Sequence, residues 1–166
     1  GTAQIWVMKS DGSEKQRIDN SSGYEGVPFW SSDGNRIIWE GGPDDDRSAM
    51  AVDVTITGGS YSYSEPYVFF HKTPEEYAVL GIENVDTTGL NCCNPSWFPG
   101  SDKIVFWVFF TNVQADLFAY EKSTDTLARI TDTPDYSDYE PKVSPDGSKI
   151  IYWSGETTTE PGPNVH

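Results

Sequence analysis

Apolar and polar residues alternate along this chain in short runs, and the runs come in pairs around polar turns. Ile5 to Met8 precede Lys9-Ser10-Asp11-Gly12-Ser13 and then Arg17-Ile18, while Leu117 to Tyr120 precede Glu121 to Asp125 and then Thr126 to Thr131. A period of two on either side of a polar turn predicts antiparallel strand pairs. Ala49 to Thr57, Gly58-Gly59 and Ser60 to Ser64 predict a third such pair.

A second kind of pair recurs as a repeat. Pro28-Phe29-Trp30-Ser31-Ser32-Asp33-Gly34-Asn35-Arg36-Ile37-Ile38-Trp39 aligns without a gap with the stretch from Pro141 through Ser144-Pro145-Asp146-Gly147 to Tyr152-Trp153. Each copy is an apolar strand, a Ser/Pro-Asp-Gly turn in which Gly can take positive φ, and a β-branched and aromatic strand, which is the chemistry of a β-hairpin. A third copy, Pro95 to Trp107, keeps both flanks but rearranges its Asp and Gly around one extra residue, so its turn is expected to differ.

Alternation of a Pro-x-Trp-Ser-Pro-Asp-Gly-x-x-Ile hairpin with an Ile-x-Val-Met-x-x-Asp-Gly-x-x-x-x-x-Ile hairpin resembles the TolB-type (WD40-like) β-propeller repeat, in which two hairpins make one four-stranded blade. The resemblance covers Ile5 to Trp39 and Asn94 to Ser154 well and residues 41–93 poorly. It implies an all-β fold, a β-propeller-like array of antiparallel hairpins with about four blade units over residues 1–154, or a sector of a larger propeller. It also implies protein–protein contact in an envelope or extracellular setting.

The interval from Pro28 to Pro95 is long for one unit and holds either a large insertion or a degenerate blade, which Pro66 with Tyr67 to Phe70 would begin and Tyr77 to Ile82 would continue as its second strand. The chain opens on the second hairpin of a blade and reaches the first hairpin of another near Trp153. Three arrangements follow: a closed small ring, a sector of a larger parent, or subunits that complete each other's sheets as an oligomer or filament. Residues 155–166, with Pro161-Gly162-Pro163, read as a linker or tail.

Composition agrees with short strands and tight turns: 6 Trp, 9 Tyr, 8 Phe, 15 Gly and 11 Pro in 166 residues. The tryptophans fall mostly at repeated strand positions, which predicts packing between blades. A formal charge of −15 argues against nucleic acid or anionic lipid as partner. The most apolar stretch, Ile104 to Phe110, has strand length and predicts no membrane insertion.

Candidate chemistry is sparse. His71 and His166 are the only histidines, no zinc spacing, nucleophile elbow or phosphate loop is present, and carboxylates such as Glu75, Glu76, Asp132, Asp135 and Asp138 form no distinctive pair. Asp44, Asp45 and Asp46 form the densest acidic loop and the one candidate for calcium, weighed against a solvated turn. Tyr61, Tyr63, Tyr67, Tyr136 and Tyr139 are candidate platforms for a glycan or protein partner. Asn20-Ser21-Ser22 matches a glycosylation acceptor. The adjacent Cys92 and Cys93 are read as buried thiols, a vicinal disulfide, an intermolecular bridge or metal ligands. The expected function is therefore binding or scaffolding without catalysis, through the loops 20–27, 42–48 and 132–140. The alternative is a polysaccharide hydrolase or lyase, or the propeller part of a larger hydrolase.

Overall fold

The computed structural model describes residues 3–43, 47–85, 93–110 and 114–157 of the chain. It opens on a hairpin of β1 (Trp6–Val7) and β2 (Gln16–Arg17). A meander of β3 (Tyr24–Trp30), β4 (Arg36–Gly42), β5 (Ser48–Thr57) and β6 (Ser60–Tyr63) follows, and β7 (Tyr67–Phe70) returns to pair with the first part of β5. After helix α1 (Pro74–Val79) comes a second meander of β8 (Cys93–Trp97), β9 (Lys103–Phe109), β10 (Ala115–Glu121) and β11 (Thr126–Arg129). A hairpin of β12 (Tyr136–Val143) and β13 (Ile150–Glu156) comes last. Among the described residues all pairings are antiparallel, and the strands fall into four separate sheets. In blade terms the order is an outer half-blade, two full blades and an inner half-blade.

The repeat in the sequence becomes a repeat of hydrogen bonds. Ser31 and Ser144 each donate a hydroxyl to the carboxylate two residues on, Asp33 or Asp146, at 2.6 Å. The same hydroxyls accept the N–H of Arg36 at 2.9 Å and of Lys149 at 3.0 Å. Gly34 and Gly147 supply the positive φ of 72° and 74° that closes each turn. Hydrogen bonds from Ser144 and Ser148 hold the Asp146 carboxyl down at about 2, and those from Ser31 and Asn35 lower that of Asp33. In the third copy the extra residue moves the serine to the other side of the glycine: Gly100 takes φ 64° and Ser101 accepts the N–H of Lys103 at 3.3 Å. The turn differs as its rearranged residues predict.

A second repeated feature has no plain sequence signature. Val27, Asn94 and Glu140, each immediately before the anchor proline, have φ of 54°, 49° and 51°. Each sits where the pairing register of its hairpin shifts, so every blade carries a bulge in its first strand at the same place. Proline removes the ladder donor there, and the preceding residue, against the extended preference of a residue before proline, turns left-handed and absorbs the extra position.

Two apolar clusters bind the units together. The larger lies between the full blades, joining Ile38, Phe69 and Phe70 to Ile104, Phe106 and Phe118, with Tyr77 of α1 inserted. Phe70 meets Phe106 at 4.7 Å, and Phe69 meets Trp97 edge-on at 4.8 Å. The smaller joins Ile5 and Ile18 of the first hairpin to Ile37, Trp39, Val52 and Val54. Strands β4 and β5 thus bury alternate residues against neighbours on both faces.

The segment after β6 departs from the sequence reading. Tyr67 to Phe70 do not open a new blade but supply the last strand of the first one, and Tyr77 to Ile82 do not form a strand. Thr73 caps α1 in a capping box, accepting the N–H of Glu76 at 3.3 Å while the Glu76 carboxylate accepts that of Thr73 at 2.7 Å. Pro74 opens the helix and Tyr77 anchors it. Strand β13 continues through Gly155 to Glu156, two residues into the expected tail, whose remainder from 158 lies outside the described residues.

Phe118 lies in the middle of the larger cluster, whereas Ser144 closes an exposed turn. Phe118→Ala is expected to lower the unfolding free energy by about 3–5 kcal/mol and Ser144→Ala by about 1 kcal/mol. Chemical denaturation of the two variants checks this, and equal losses would contradict the assignment of the core.

Candidate functional site

Strand registers make residues of different blades equivalent. The pairs Trp30↔Ile37, Trp97↔Ile104 and Val143↔Ile150 align β4, β9 and β13, so Ile38, Val105 and Ile151 correspond, as do Trp39, Phe106 and Tyr152. The pairs Phe118↔Arg129 and Trp6↔Arg17 align β10 with β1, so Phe118 corresponds to Trp6 and Tyr120 to Met8. Backbone contacts agree: Ile18 N–H donates to Ile5 C=O as Ile130 N–H does to Leu117 C=O. The residue before each of these pairs also has its N–H bound by a side chain, Ile5 by the Asp19 carboxylate and Leu117 by the Thr131 hydroxyl at 3.0 Å.

Equivalent positions differ sharply in exposure. Ile38, Val105, Trp39 and Phe106 are buried, but Ile151 is 73% and Tyr152 42% exposed. Phe118 and Tyr120 are buried, but Trp6 is 57% and Met8 58% exposed. In the full blades these side chains lie between neighbouring units, Ile38, Phe106, Phe118 and Tyr120 in the larger cluster and Trp39 in the smaller. Among the described residues β13 pairs only with β12 and β1 only with β2, so each half-blade presents an open edge flanked by apolar side chains. Among the described residues the two hairpins do not join into one sheet, and the closed ring expected as one arrangement does not form.

An aromatic row leads to the β13 edge. Trp107 meets Phe109 at 4.9 Å and Tyr139 at 5.0 Å, and Tyr139 meets its cross-strand partner Trp153 at 4.5 Å. Trp153 is about half exposed. Rigid rings held this way form a preorganised apolar surface.

The predicted contact residues separate into three places. Tyr61 and Tyr63, on β6, line a groove of about 710 Å³ together with Trp30, Met8 and Ile56. Tyr67 packs inward: its hydroxyl lies 3.1 Å from Asp53 and the Lys122 ammonium 4.7 Å from its ring. Tyr139 stands in the aromatic row, and Tyr136 begins β12 with its ring exposed. All five tyrosines thus stand on strands and not on loops, Tyr67 and Tyr139 packed against neighbouring side chains. Asn20 is exposed, its amide donating to Glu65 at 3.2 Å. Cys93 is buried at the start of β8. Cys92, His166 and Asp44, Asp45 and Asp46 lie outside the described residues. Of the predicted recognition loops, 20–27 and 132–140 run into β3 and β12, and 42–48 joins β4 to β5.

Buried charges serve the frame. Glu40 accepts from Arg47 at 2.7 Å and reaches the N–H of Asn94 in the next blade at 3.4 Å. Glu25 accepts from the Trp39 indole and the Ser21 hydroxyl. Burial pushes the Asp116 carboxyl up, opposed by the Arg129 guanidinium that it binds. Glu76 belongs to the helix cap and Asp132 pairs with Arg129 at 2.9 Å. Among the described residues no three His, Cys, Asp or Glu side chains gather as metal ligands.

Burial first, and then the Asp53 charge and hydrogen bond, push the Tyr67 phenol up to about 12; burial and Asp125 do the same for Tyr120. A phenol whose folded pKa is raised contributes stability below its unfolded value, about 10, and loses it as pH rises through the folded value. Thermal stability is expected to fall between pH 10 and about 12, and Tyr67→Phe to flatten part of that fall. An unchanged profile in the variant would contradict the assignment.

No family model matches the sequence, and no curated protein matches it significantly. Solved structures do. TolB from Acinetobacter baumannii superposes with a TM-score of 0.59 at 16% identity, over 90% of this chain and 31% of that one. A putative TolB from Agrobacterium tumefaciens gives 0.61 at 15% identity, over 93% of this chain and 50% of that one. A puromycin-hydrolyzing peptidase from Mycobacterium tuberculosis gives 0.54 at 8% identity, over 88% and 20%. The chain thus spans half or less of the length of each. With its two full blades flanked by half-blades, it has the TolB-type β-propeller fold, as a sector of such a propeller.

Proposed function

We propose that this chain is a non-catalytic scaffold module that binds other copies of itself by completing half-blades between subunits. The observation that carries this reading is the exposure of Ile151, Tyr152, Trp6 and Met8 at positions whose equivalents in the full blades are buried. An outer hairpin and an inner hairpin are the two parts of one blade, and an open sheet edge recruits strands through main-chain hydrogen bonds. The contact is heterologous, one edge meeting a different edge, so it builds a ring or a filament according to its curvature. We place this activity in an envelope or extracellular setting, where the acidic charge of −15 favours solubility. No described helix is long and apolar enough to cross a membrane.

Light scattering over a range of concentrations tests the reading. The 166-residue chain should give particles at multiples of 18.5 kDa, and Ile151→Glu, at a position exposed in the single chain, should return it toward one copy. Single copies of the unaltered chain at every concentration would contradict it.

A glycan is the second reading, favoured by the groove in which Trp30 and Tyr61 expose about half of their surface beside Tyr63. Aromatic faces of this kind stack on sugar rings, and the polar rim of Lys9, Asp11 and Glu14 offers hydrogen bonds to hydroxyls. Binding of neutral oligosaccharides by calorimetry should fall at least about tenfold in Tyr61→Ala; equal binding by the variant would remove the groove from consideration.

A further inference from the structure

We infer that the outer end of the groove beside Tyr61 takes a glycan that carries a free amino group, its ammonium seated between the Tyr61 ring and the Asp11 carboxylate. This inference rests on the glycan reading above and names the class of sugar.

One wall of this end is an arm that the first blade has and the second lacks. Arg36↔Asp53 is the last pair between β4 and β5, and Val54 to Thr57 run on with β6 alone. In the second blade the equivalent pair, Lys103↔Glu121, is followed at once by the turn to β11. The arm has two unlike faces: Val54, Ile56, Tyr61 and Tyr63 share one, and Thr55, Thr57, Ser60 and Ser62 the other. At its base Val54 and Tyr63 pack against the first hairpin, while at its tip Ile56 and Tyr61 are half exposed. The turn between β1 and β2, with Lys9, Asp11 and Glu14, lines the same groove.

Further strands of the same blade would leave this end open. β1 and β2 form an outer hairpin, and strands that complete their blade add on the unpaired side of β1, away from β2 and the arm. Trp30 and Met8, at the inner end of the groove, lie within their reach and are not used here. In the second blade, where the inner strands are present, the equivalent turn from Lys122 to Asp125 is exposed. Asp11 has the same place in its own hairpin.

The chemistry of the groove selects a cation. Asp11 Oδ1 accepts the N–H and the hydroxyl of Ser13, at 2.9 and 2.6 Å, which orients the carboxylate and holds its pKa below the usual value. Both bonds fall on one oxygen, so the other is left for a ligand. Glu14 is occupied by its ion pair with Lys9. A carboxylate oxygen near an exposed aromatic face suits an ammonium, through charge and through the ring quadrupole. The net charge of −15 draws cations and repels anions. One available carboxylate matches one ammonium and not a polybasic peptide, and Ser10, Ser60 and Gln16 offer neutral partners to hydroxyls. An amino sugar brings an apolar ring face, hydroxyls and an ammonium together.

Calorimetry at about pH 5.5, where Asp11 is ionised, tests this with two chitin-type tetrasaccharides, one fully N-acetylated and one with free amines. The free-amine sugar should bind about tenfold more tightly. Asp11→Asn keeps an acceptor for Ser13 and should bring the two sugars to equal affinity. Glu156→Gln, the same loss of charge at the exposed end of β13, should leave the tenfold difference in place. Equal or weaker binding of the free-amine sugar by the unaltered chain would overturn the amino-group preference and leave the glycan reading standing. A preference that survives in Asp11→Asn, or that is lost equally in Glu156→Gln, would also overturn it. Binding of neither sugar by the unaltered chain would overturn both.

Discussion

Every strand in the middle of a sheet satisfies its backbone groups on two sides, and a strand at an edge satisfies them on one. That requirement organises this protein more than any side-chain contact does. In each full blade the second and third strands form an unbroken ladder, and the faces then close on neighbouring blades through Ile38, Phe106 and Phe118. Where the ladder of the described residues stops, at β13 and β1, apolar residues whose equivalents in the full blades lie between units are left at the surface. Exposed apolar side chains beside unpaired N–H and C=O groups are costly in water, and both costs are relieved by the same event, the arrival of another strand.

The repeat also explains how so divergent a chain keeps its shape. Three hairpins share a serine that bridges the turn, a glycine with positive φ, and a left-handed residue before the anchor proline. None of these contributes much apolar burial. They fix where each strand begins and how it bends, so that large residues of varied identity can fill the space between blades. The position held by Glu40, Trp107 and Trp153 illustrates this tolerance: in one blade it is a buried carboxylate bound to Arg47 and to the N–H of Asn94, in the next an indole packed on Tyr139.

Much of this was legible in the chain itself. The Pro28 and Pro141 hairpins and their Asp-Gly turns follow from local chemistry, and so does the altered turn after Pro95, because one extra residue must move the glycine. The Thr73-Pro74-Glu75-Glu76 cap was also written locally, yet a repeat-based spacing argument set a strand over Tyr77. The bulges at Val27, Asn94 and Glu140 were not legible, since a left-handed valine or glutamate arises from pairing with a distant strand and not from its own preference. The tyrosines divide for a similar reason: only the fold brings Asp53 and Lys122 to Tyr67 and leaves Tyr61 beside Trp30.

Amide hydrogen exchange at the open edges tests blade completion most directly, because it reads the backbone bonds themselves. If half-blades are completed between copies, the amides of Ile150 to Trp153 and Trp6 to Met8 gain protection as concentration rises, approaching that of β9 and β10. Exchange at those amides that stays as fast at high concentration as at low, while β9 and β10 remain protected, would contradict the account.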